Sequence, residues 1–264
     1  TGKLPARDLD RLFRGPVEVA LFRSAWDDPE ALWLGVKAGY NQVNHGHLDL
    51  GNFELDALGV RWVRDLGSDN YNLPGYWEMK RGGQRWSYYR LNSKSHSVPL
   101  LGGEDQDPMA TSRIAKFKSQ KSSAFALIDL TSTYEKFATK VTRGVAMLHN
   151  REAVLIQDEF EITKPCELVW AMTTDAKIAA NGQPVAKLTL RGKELMARIL
   201  SPDGASFTTE SAEQERPQKT NRGVSRLIVR LPKAEGSVRV AILLSPVWKD
   251  GYVHSVPVKP LAEW

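Results

Sequence analysis

The amino-acid sequence predicts an all-β protein with the architecture of a β-sandwich. Short apolar segments of strand length recur along most of the 264 residues, and turn-forming dipeptides separate them. Almost no segment shows the 3.6-residue period of a long amphipathic helix. Many short strands at this spacing, with turn residues between them, are typical of sandwiches.

The predicted elements before residue 64 are a lead-in segment and four strands. Residues 1–16 are expected to form an N-terminal helix or a linker, because a short helical spacing relates Leu9, Leu12 and Phe13. Residues 17–23 and 31–37 are predicted as strands, with a Pro-containing turn between them. Residues 53–63 are predicted as a hairpin that turns near the Gly at its centre.

The rest of the chain continues the same pattern. Strands are predicted over 123–131, 141–148, 153–160, 167–173, 188–190, 195–200, 224–231 and 238–244, and turn signals include 164–165, 181–182 and 235–236. The Asn181-Gly182 dipeptide is a strong signal for a two-residue hairpin turn. Residues 211–222 are polar without any period and predict an exposed loop. One extended domain over 1–264 is the simplest organisation, with a weak seam near 103–122.

The composition indicates which kinds of partner the protein could bind and which structural features it lacks. Lys and Arg number 36 against 31 Asp and Glu, which gives a net charge of +5. This excess suits an acidic partner such as nucleic acid, anionic lipid or acidic polysaccharide, although a solvated surface accounts for it equally well. The single cysteine excludes an intrachain disulfide. No apolar run reaches the roughly 18 residues of a membrane-spanning helix. The first residues lack an initiator Met and a signal peptide, so we expect a processed chain or a fragment.

Histidines are concentrated in one region and indicate a metal site. If the segment His45-Gly46-His47-Leu48-Asp49 is a strand, then His45, His47 and Asp49 share one face, with about 7 Å between successive positions. Two histidines and a carboxylate make an ordinary zinc set, and imidazole suits zinc. Asp65 and His96 are further candidate ligands from outside this segment.

The His-x-His spacing alone has low specificity, and a cupin is the alternative that it raises. Gly46 adds a little, since glycine in such a segment often marks a close approach of backbone or ligand. A cupin has a Glu after a gap of three or four residues from the second histidine, whereas six residues separate His47 from the next Glu here, Glu54. The second cupin motif is also missing around His96, so a cupin ranks low.

An ordered set of blocks resembles the start of the heparinase II/III-like domain. The blocks are Phe22-Arg23-Ser24-Ala25-Trp26, Leu32-Trp33-Leu34-Gly35-Val36-Lys37-Ala38-Gly39, Asn44-His45-Gly46-His47-Leu48-Asp49-Leu50-Gly51-Asn52-Phe53, Asp65-Leu66-Gly67 with Tyr71, and Tyr89-Arg90 leading to Ser95-His96. Their order and spacing are much more specific than any single block. The later strands are compatible with the family but less diagnostic.

The resemblance implies a multilayered antiparallel β-sandwich that follows an N-terminal α/α toroid in the parent chain. Family members cleave uronate-containing polysaccharides such as heparin, heparan sulfate and alginate by β-elimination. The family pattern places a structural zinc on His47, Asp65 and His96, and it makes His45 an active-site residue. The toroid, which supplies much of the groove and of the catalytic groups, is not present in this chain. The resemblance also suggests a periplasmic or secreted location and no nucleic-acid partner.

Other side chains are candidates for the same cleft. Tyr71 and Tyr89 are expected to serve with His45 in catalysis, while Asn44, Trp77 and Arg90 are expected to bind substrate. Tyrosine serves as base and acid when nearby positive charge lowers its pKa. Strand packing is the alternative for each tyrosine, including Tyr76 and Tyr88, and most tryptophans are expected in the core. Trp77 and Trp86 are the best exposed candidates.

Several assignments stay open at the level of sequence. Asp49 is expected either to orient a neighbouring histidine or to cap a turn. A basic run, Arg113, Lys116, Lys118 and Lys121, is either a solvated strand face or a contact for a polyanion. The chain itself is expected to be the sandwich part of a lyase or, alternatively, a non-catalytic module that a metal stabilises and that binds glycan or another domain.

Overall fold

The computed structural model describes residues 8–264, and antiparallel sheets make up its architecture. The first sheet has five strands in the sequential order β1-β2-β3-β4-β5. Their bounds are Arg11–Phe13 for β1, Val17–Arg23 for β2, Trp33–Gly39 for β3, Phe53–Ala57 for β4 and Val60–Val63 for β5. Each strand forms an antiparallel ladder with the next, so the predicted strands and hairpin in this region are confirmed.

The second sheet has ten strands, with β11-β12-β13-β15-β10-β9-β8-β7 as its main order. Strand β14 pairs with β15, and β6 pairs with β10. The bounds are Leu100–Leu101 (β6), Arg113–Ser119 (β7), Ala124–Asp129 (β8), Ala138–Leu148 (β9), Ala153–Thr174 (β10), Lys177–Ala179 (β11), Val185–Leu190 (β12), Lys193–Ser201 (β13), Phe207–Ser211 (β14) and Ser225–Pro246 (β15).

Two very long strands, β10 and β15, form the centre of the second sheet. The sequence predicted a turn within each of them, at 164–165 and at 235–236, and both predictions are wrong. The ladder continues from Ile162↔Gly236 to Cys166↔Ala234 with a shift of register. Lys164-Pro165 and Glu235-Gly236 therefore lie opposite each other at a β-bulge, which bends the two strands without ending them.

The core lies between the sheets and is continuous across them. Phe53 of β4 packs against Trp170 of β10 with ring centroids 6.5 Å apart, and Phe22 of β2 stacks on Phe117 of β7 at 5.4 Å. Trp62 and Trp170 are fully buried. The alternating burial along β4 shows how period-two patterning places apolar side chains in this core. The predicted all-β, multilayered antiparallel β-sandwich is confirmed.

Two predictions outside the strands are corrected. The part of 1–16 that is described contains β1 rather than a helix, because Leu12 pairs with Ala20 and the ladder satisfies the backbone of this segment. The prediction for 1–7 lies outside the described residues. Within 8–264, no helix is long and apolar enough to span a membrane. The predicted exposed loop over 211–222 starts in β14 and contains buried Ala212 and Asn221.

Candidate functional site

The segment that carries the paired histidines is a loop, residues 40–52, between β3 and β4. His45 adopts a left-handed conformation with φ of 59°, so the chain turns at this residue. Side chains of this segment therefore do not alternate as they would on a strand. His45 is exposed, His47 is partly buried and Asp49 is buried. The predicted common face of all three residues is wrong for this reason.

Gly46 makes the turn possible. A Cβ at this position would lie 2.2 Å from the carbonyl oxygen of Asn41, which is far inside van der Waals contact. The Gly46 amide donates to the carbonyl of Val43 at 2.7 Å, and Asn41 is fully buried. The expected close approach of backbone at Gly46 is confirmed. The turn separates an outward imidazole at 45 from an inward one at 47.

Four potential metal ligands converge beneath this loop. Ligand atoms of His47, Asp49, Asp65 and His96 all lie within 4.8 Å of one another. Asp65 lies two residues after the end of β5, and His96 caps a short 3-10 helix, Ser93–Ser95. The structure thus brings together the three residues that the resemblance implied and adds Asp49. Asp49 also accepts a hydrogen bond from the Lys37 ammonium at 2.5 Å.

Hydrogen bonds fix the orientation of two of these residues. His96 Nδ1 lies 2.7 Å from Asp65 Oδ2, and the other carboxylate oxygen accepts from the Gly67 amide at 2.6 Å. His96 Nε2 is buried and has no hydrogen-bond partner among the described residues. A buried polar atom without a partner is costly. A metal ion would satisfy it, since metal-bound histidines usually hydrogen-bond a carboxylate through the other ring nitrogen.

The charges of the cluster also suit a cation. Burial, together with nearby His96, lowers the pKa of the His47 imidazole to about 4, so this ring is neutral near pH 7. Burial alone would raise the pKa of Asp65, but the charge and hydrogen bond of His96 outweigh it and hold that pKa well below its usual range. The same contact raises the pKa of His96 against the opposing effect of burial. Two imidazoles and two carboxylates form a donor set that fits zinc.

A second cluster stands on the outside of the same loop. The Tyr71 hydroxyl lies 3.4 Å from His45 Nδ1, and the Trp77 ring meets the imidazole edge-on with centroids 5.3 Å apart. Tyr71 is 45% exposed and Trp77 is 51% exposed, which is unusual for large aromatic side chains. We call His45, Tyr71 and Trp77 the aromatic cluster. It offers an imidazole, a phenol and a flat apolar ring to one ligand.

Arg85 supports the aromatic cluster from below, and sequence reasoning did not identify it. Its fully buried guanidinium donates to the carbonyl of Tyr76 at 2.7 Å and to the carbonyl of Gly46 at 2.8 Å. The guanidinium also lies 4.7 Å from the centre of the Tyr76 ring. Arg85 therefore joins the histidine loop to the segment that carries the aromatic residues. Its only signal in the sequence is an arginine within an aromatic-rich stretch.

Two other predicted site residues lie in a different environment. The Tyr89 hydroxyl is buried without a partner among residues 8–264, and burial raises its pKa. Tyr89 packs with Leu66, Ala212 and Val224. Arg90 donates hydrogen bonds to the Asn221 side chain and to the backbone carbonyls of Leu66 and Ser68. No described hydrogen bond or ring contact joins either residue to His45.

The remaining candidates are divided between surface and core. Asn44 is exposed next to His45. Trp86 is 7% exposed and donates to the Lys80 carbonyl, so its predicted exposure is wrong. Tyr76 and Tyr88 are buried, which fits the packing alternative. Trp86 is covered because residues 80–86 fold back on themselves, a local feature that composition does not reveal.

Comparison with known proteins agrees with the resemblance. The family described as heparinase II/III-like, C-terminal, matches residues 23–243. A solved heparinase III with methylated lysines is 20% identical with a TM-score of 0.75, and the match covers 94% of this chain and 37% of that chain. A mutant heparan sulfate lyase from Pedobacter heparinus is 18% identical with a TM-score of 0.74, covering 97% and 38%. No curated protein matches the chain.

These findings identify the family of the chain. At such low identities the structural matches show the fold alone, and the chain spans little more than a third of the solved lyases. The family match, in contrast, extends over most of the sequence. The chain therefore belongs to the heparinase II/III-like family, and it comprises the C-terminal domain by which that family is described.

Proposed function

We propose that this chain is the sandwich part of a polysaccharide lyase that cleaves uronate-containing polysaccharide by β-elimination. The observation that carries the proposal is the aromatic cluster, in which an exposed imidazole and an exposed phenol lie within 3.4 Å of each other. The names of the solved relatives, a heparinase and a heparan sulfate lyase, agree with this substrate class.

The chemistry assigns a role to each member of the cluster. β-Elimination removes the acidic C5 proton of the uronate, leaves enolate-like charge on its carboxylate and expels the 4-oxygen, which must gain a proton. Donors aimed at the carboxylate stabilise that charge. His45 faces the carboxylate or takes the C5 proton, because an imidazole ring has one nitrogen that donates a hydrogen bond and one that accepts a proton. Tyr71 donates a proton to the departing 4-oxygen, and it first takes the C5 proton itself if His45 faces the carboxylate. The flat Trp77 ring packs against a sugar face.

A structural zinc ion would be held by His47, His96, Asp65 and Asp49. The ion would supply no reactive group in this proposal. It would cross-link the loop 40–52 to the end of β5 and to the turn at His96, and so hold His45 in position. The unpartnered buried Nε2 of His96 is the observation that favours a bound ion.

The remaining catalytic groups would come from an N-terminal helical toroid. This part of the proposal rests on the resemblance and on the coverage of the matched lyases, of which the chain spans 37% and 38%. Tyr89 is not included in the reacting pair, because its hydroxyl is buried away from solvent.

An absorbance assay for unsaturated uronate tests the proposal. The longer protein that joins this chain to its helical domain is incubated with heparin, heparan sulfate and alginate. We expect product from at least one of them, and a loss of at least about a hundredfold in kcat for His45→Ala, the usual range for a general acid or base. His254→Ala is the matched control, since this exposed imidazole also lies beside a tyrosine ring. Absence of product on every uronate polysaccharide would refute the proposal.

The second candidate is a non-catalytic glycan-binding module stabilised by a metal. The exposed Tyr71 and Trp77 rings favour it, because such rings bind sugars without any chemistry. Glycan binding that persists unchanged in His45→Ala, without turnover by the wild type, would favour this candidate over the lyase.

A further inference from the structure

A cleft that is separate from the aromatic cluster opens on the side of the sandwich, where the loop 212–224 meets the segment after β5. Its volume is about 690 Å³, within the range of small-ligand sites. Four arginines, one lysine and one aspartate line it: Arg64, Arg90, Arg216, Arg222, Lys219 and Asp175. The aspartate is already paired with Arg64 at 2.6 Å. The wall of the cleft is thus strongly positive. We call it the basic cleft.

The loop that forms the basic cleft is held in place by buried contacts. Asn221 is 6% exposed, donates to the Ala212 carbonyl and accepts from Arg90 Nε at 2.7 Å. The Lys219 amide donates to the buried carboxylate of Asp69 at 3.1 Å. Gln218 accepts a hydrogen bond from the Tyr89 amide at 2.7 Å. The backbone of the loop that carries Arg216 and Arg222 is therefore held in place before any ligand arrives.

Two of the cations have no acidic partner among residues 8–264. Arg216 and Arg222 are exposed, and no ion pair or side-chain hydrogen bond joins either to another described residue. The acidic residues of the same loop, Glu213 and Glu215, do not line the cleft. Guanidinium groups bind carboxylate and sulfate through paired hydrogen bonds. The free donors of the basic cleft therefore match the charged groups of an acidic glycan.

The basic cleft is also adjacent to the aromatic cluster. Asn70 lines the cleft, and the next residue is Tyr71, whose hydroxyl reaches His45. A sugar chain that extends from Tyr71 past Asn70 would enter the cleft. A polysaccharide with a charge on each repeating unit would place a neighbouring carboxylate or sulfate there while one uronate lies at His45.

We propose that the basic cleft is a second subsite for the acidic polysaccharide, in which Arg216 and Arg222 bind a carboxylate or sulfate of a sugar beside the reacting one. This inference rests on the proposed function for the identity of the ligand. It also gives a role to Arg90, which positions Asn221 and the loop and need not touch the reacting sugar.

Calorimetric binding of heparan sulfate and alginate oligosaccharides to the 264-residue chain tests the inference. The test variant is Arg216→Gln/Arg222→Gln, in which neither change removes a described contact. We expect about tenfold weaker binding for whichever oligosaccharide the wild type binds, because each charged hydrogen bond contributes strongly. The matched control is Lys140→Gln/Arg191→Gln, which removes equal charge from two exposed residues outside the basic cleft and should change the affinity less than about twofold.

The outcomes separate this inference from the proposed function. Unchanged binding in the cleft variant, or an equal loss in the Lys140→Gln/Arg191→Gln control, would overturn the subsite. An equal loss for a single-stranded DNA of similar charge would also overturn it, because the cleft would then bind any polyanion. If the cleft variant binds normally while His45→Ala abolishes turnover, only the inference fails. If no uronate is cleaved and binding still depends on Arg216 and Arg222, only the lyase proposal fails.

Discussion

His45 and His47 are separated by a single residue, Gly46, but their side chains face opposite sides of the loop. Their spacing predicted a common face, as on a strand, and only the resemblance implied that they separate. The left-handed conformation of His45 causes the difference. This conformation is unusual for a residue with a side chain, and nothing in the local sequence announces it apart from the glycine that follows. Arg85 was missed because its role depends on two carbonyls distant in sequence.

Gly46→Ala tests the close packing beneath the turn. The new Cβ would meet the Asn41 carbonyl, so the loop must shift. We expect a loss of about 1–3 kcal/mol in the free energy of unfolding, measured in urea. Gly15→Ala is the control, because its Cβ would meet the nearest atom at an ordinary 3.5 Å. Equal stability of the two variants would show that the turn is not constrained at Gly46.

His47 should make the metal-free chain sensitive to acid. Its pKa is about 4 in the folded state, against the ordinary 6.5 of the unfolded chain. Between these values the unfolded state binds a proton that the folded state does not, so stability falls as the pH drops below about 6.5. From pH 7 to 5 we expect His47 to contribute a loss of roughly 2 kcal/mol. Urea unfolding with a chelator present should show a smaller loss for His47→Gln; an identical pH dependence in both proteins would contradict the burial of this ring.

At the scale of the elements, the strands were easier to predict than their ends. Alternating apolar residues identified most strands. Asn181-Gly182 turns the chain between β11 and β12 with both residues at positive φ, but the connection spans residues 180–184 and is not the predicted two-residue hairpin. Lys164-Pro165 and Glu235-Gly236 carry ordinary turn signals and yet lie within long strands. These residues stay within strands because β10 and β15 pair with each other along their length. A local sequence pattern does not predict this pairing, because the paired residues are far apart in the sequence.

A buried ion pair connects the second sheet to the candidate site. Arg143 of β9 and Asp158 of β10 are both fully buried and form two hydrogen bonds of 2.7 and 2.8 Å. Arg143 also donates to the carbonyl of Gly51 at 2.8 Å and to that of Ser97 at 2.6 Å. These carbonyls lie at the end of the histidine loop and immediately after His96. The pair therefore anchors two of the segments that carry metal ligands.

Removal of one partner from this pair should be strongly destabilising. We expect Arg143→Ala to lower the free energy of unfolding by about 3–5 kcal/mol, because Asp158 would keep an unpaired buried charge. Arg143→Met/Asp158→Leu should cost less than that single change, since no isolated charge remains. Lys187→Ala, which breaks the exposed Lys187–Glu194 pair, should cost less than about 1 kcal/mol in the same urea titration. A loss in Arg143→Ala no larger than in Lys187→Ala would contradict this account.

At the scale of the whole molecule, sequence patterns predicted the sandwich but not the way its parts meet. Ligands from the loop 40–52, the end of β5 and the turn at His96 converge only because two sheets and a 3-10 helix bring them together. The resemblance, which depends on the order of blocks over 22–96, anticipated most of this set. It did not anticipate Asp49 as a member or the basic cleft, whose residues come from the loop 212–224 and from the segments beside β5 and β10.

Zinc content and thermal stability, measured together on purified protein, test whether His47, Asp49, Asp65 and His96 hold one ion. We expect about one zinc per wild-type chain, a melting temperature that a chelator lowers, and loss of both effects in His47→Ala while His254→Ala behaves as wild type. A folded wild-type chain that binds no zinc, or a His47→Ala variant that retains it, would contradict the claim.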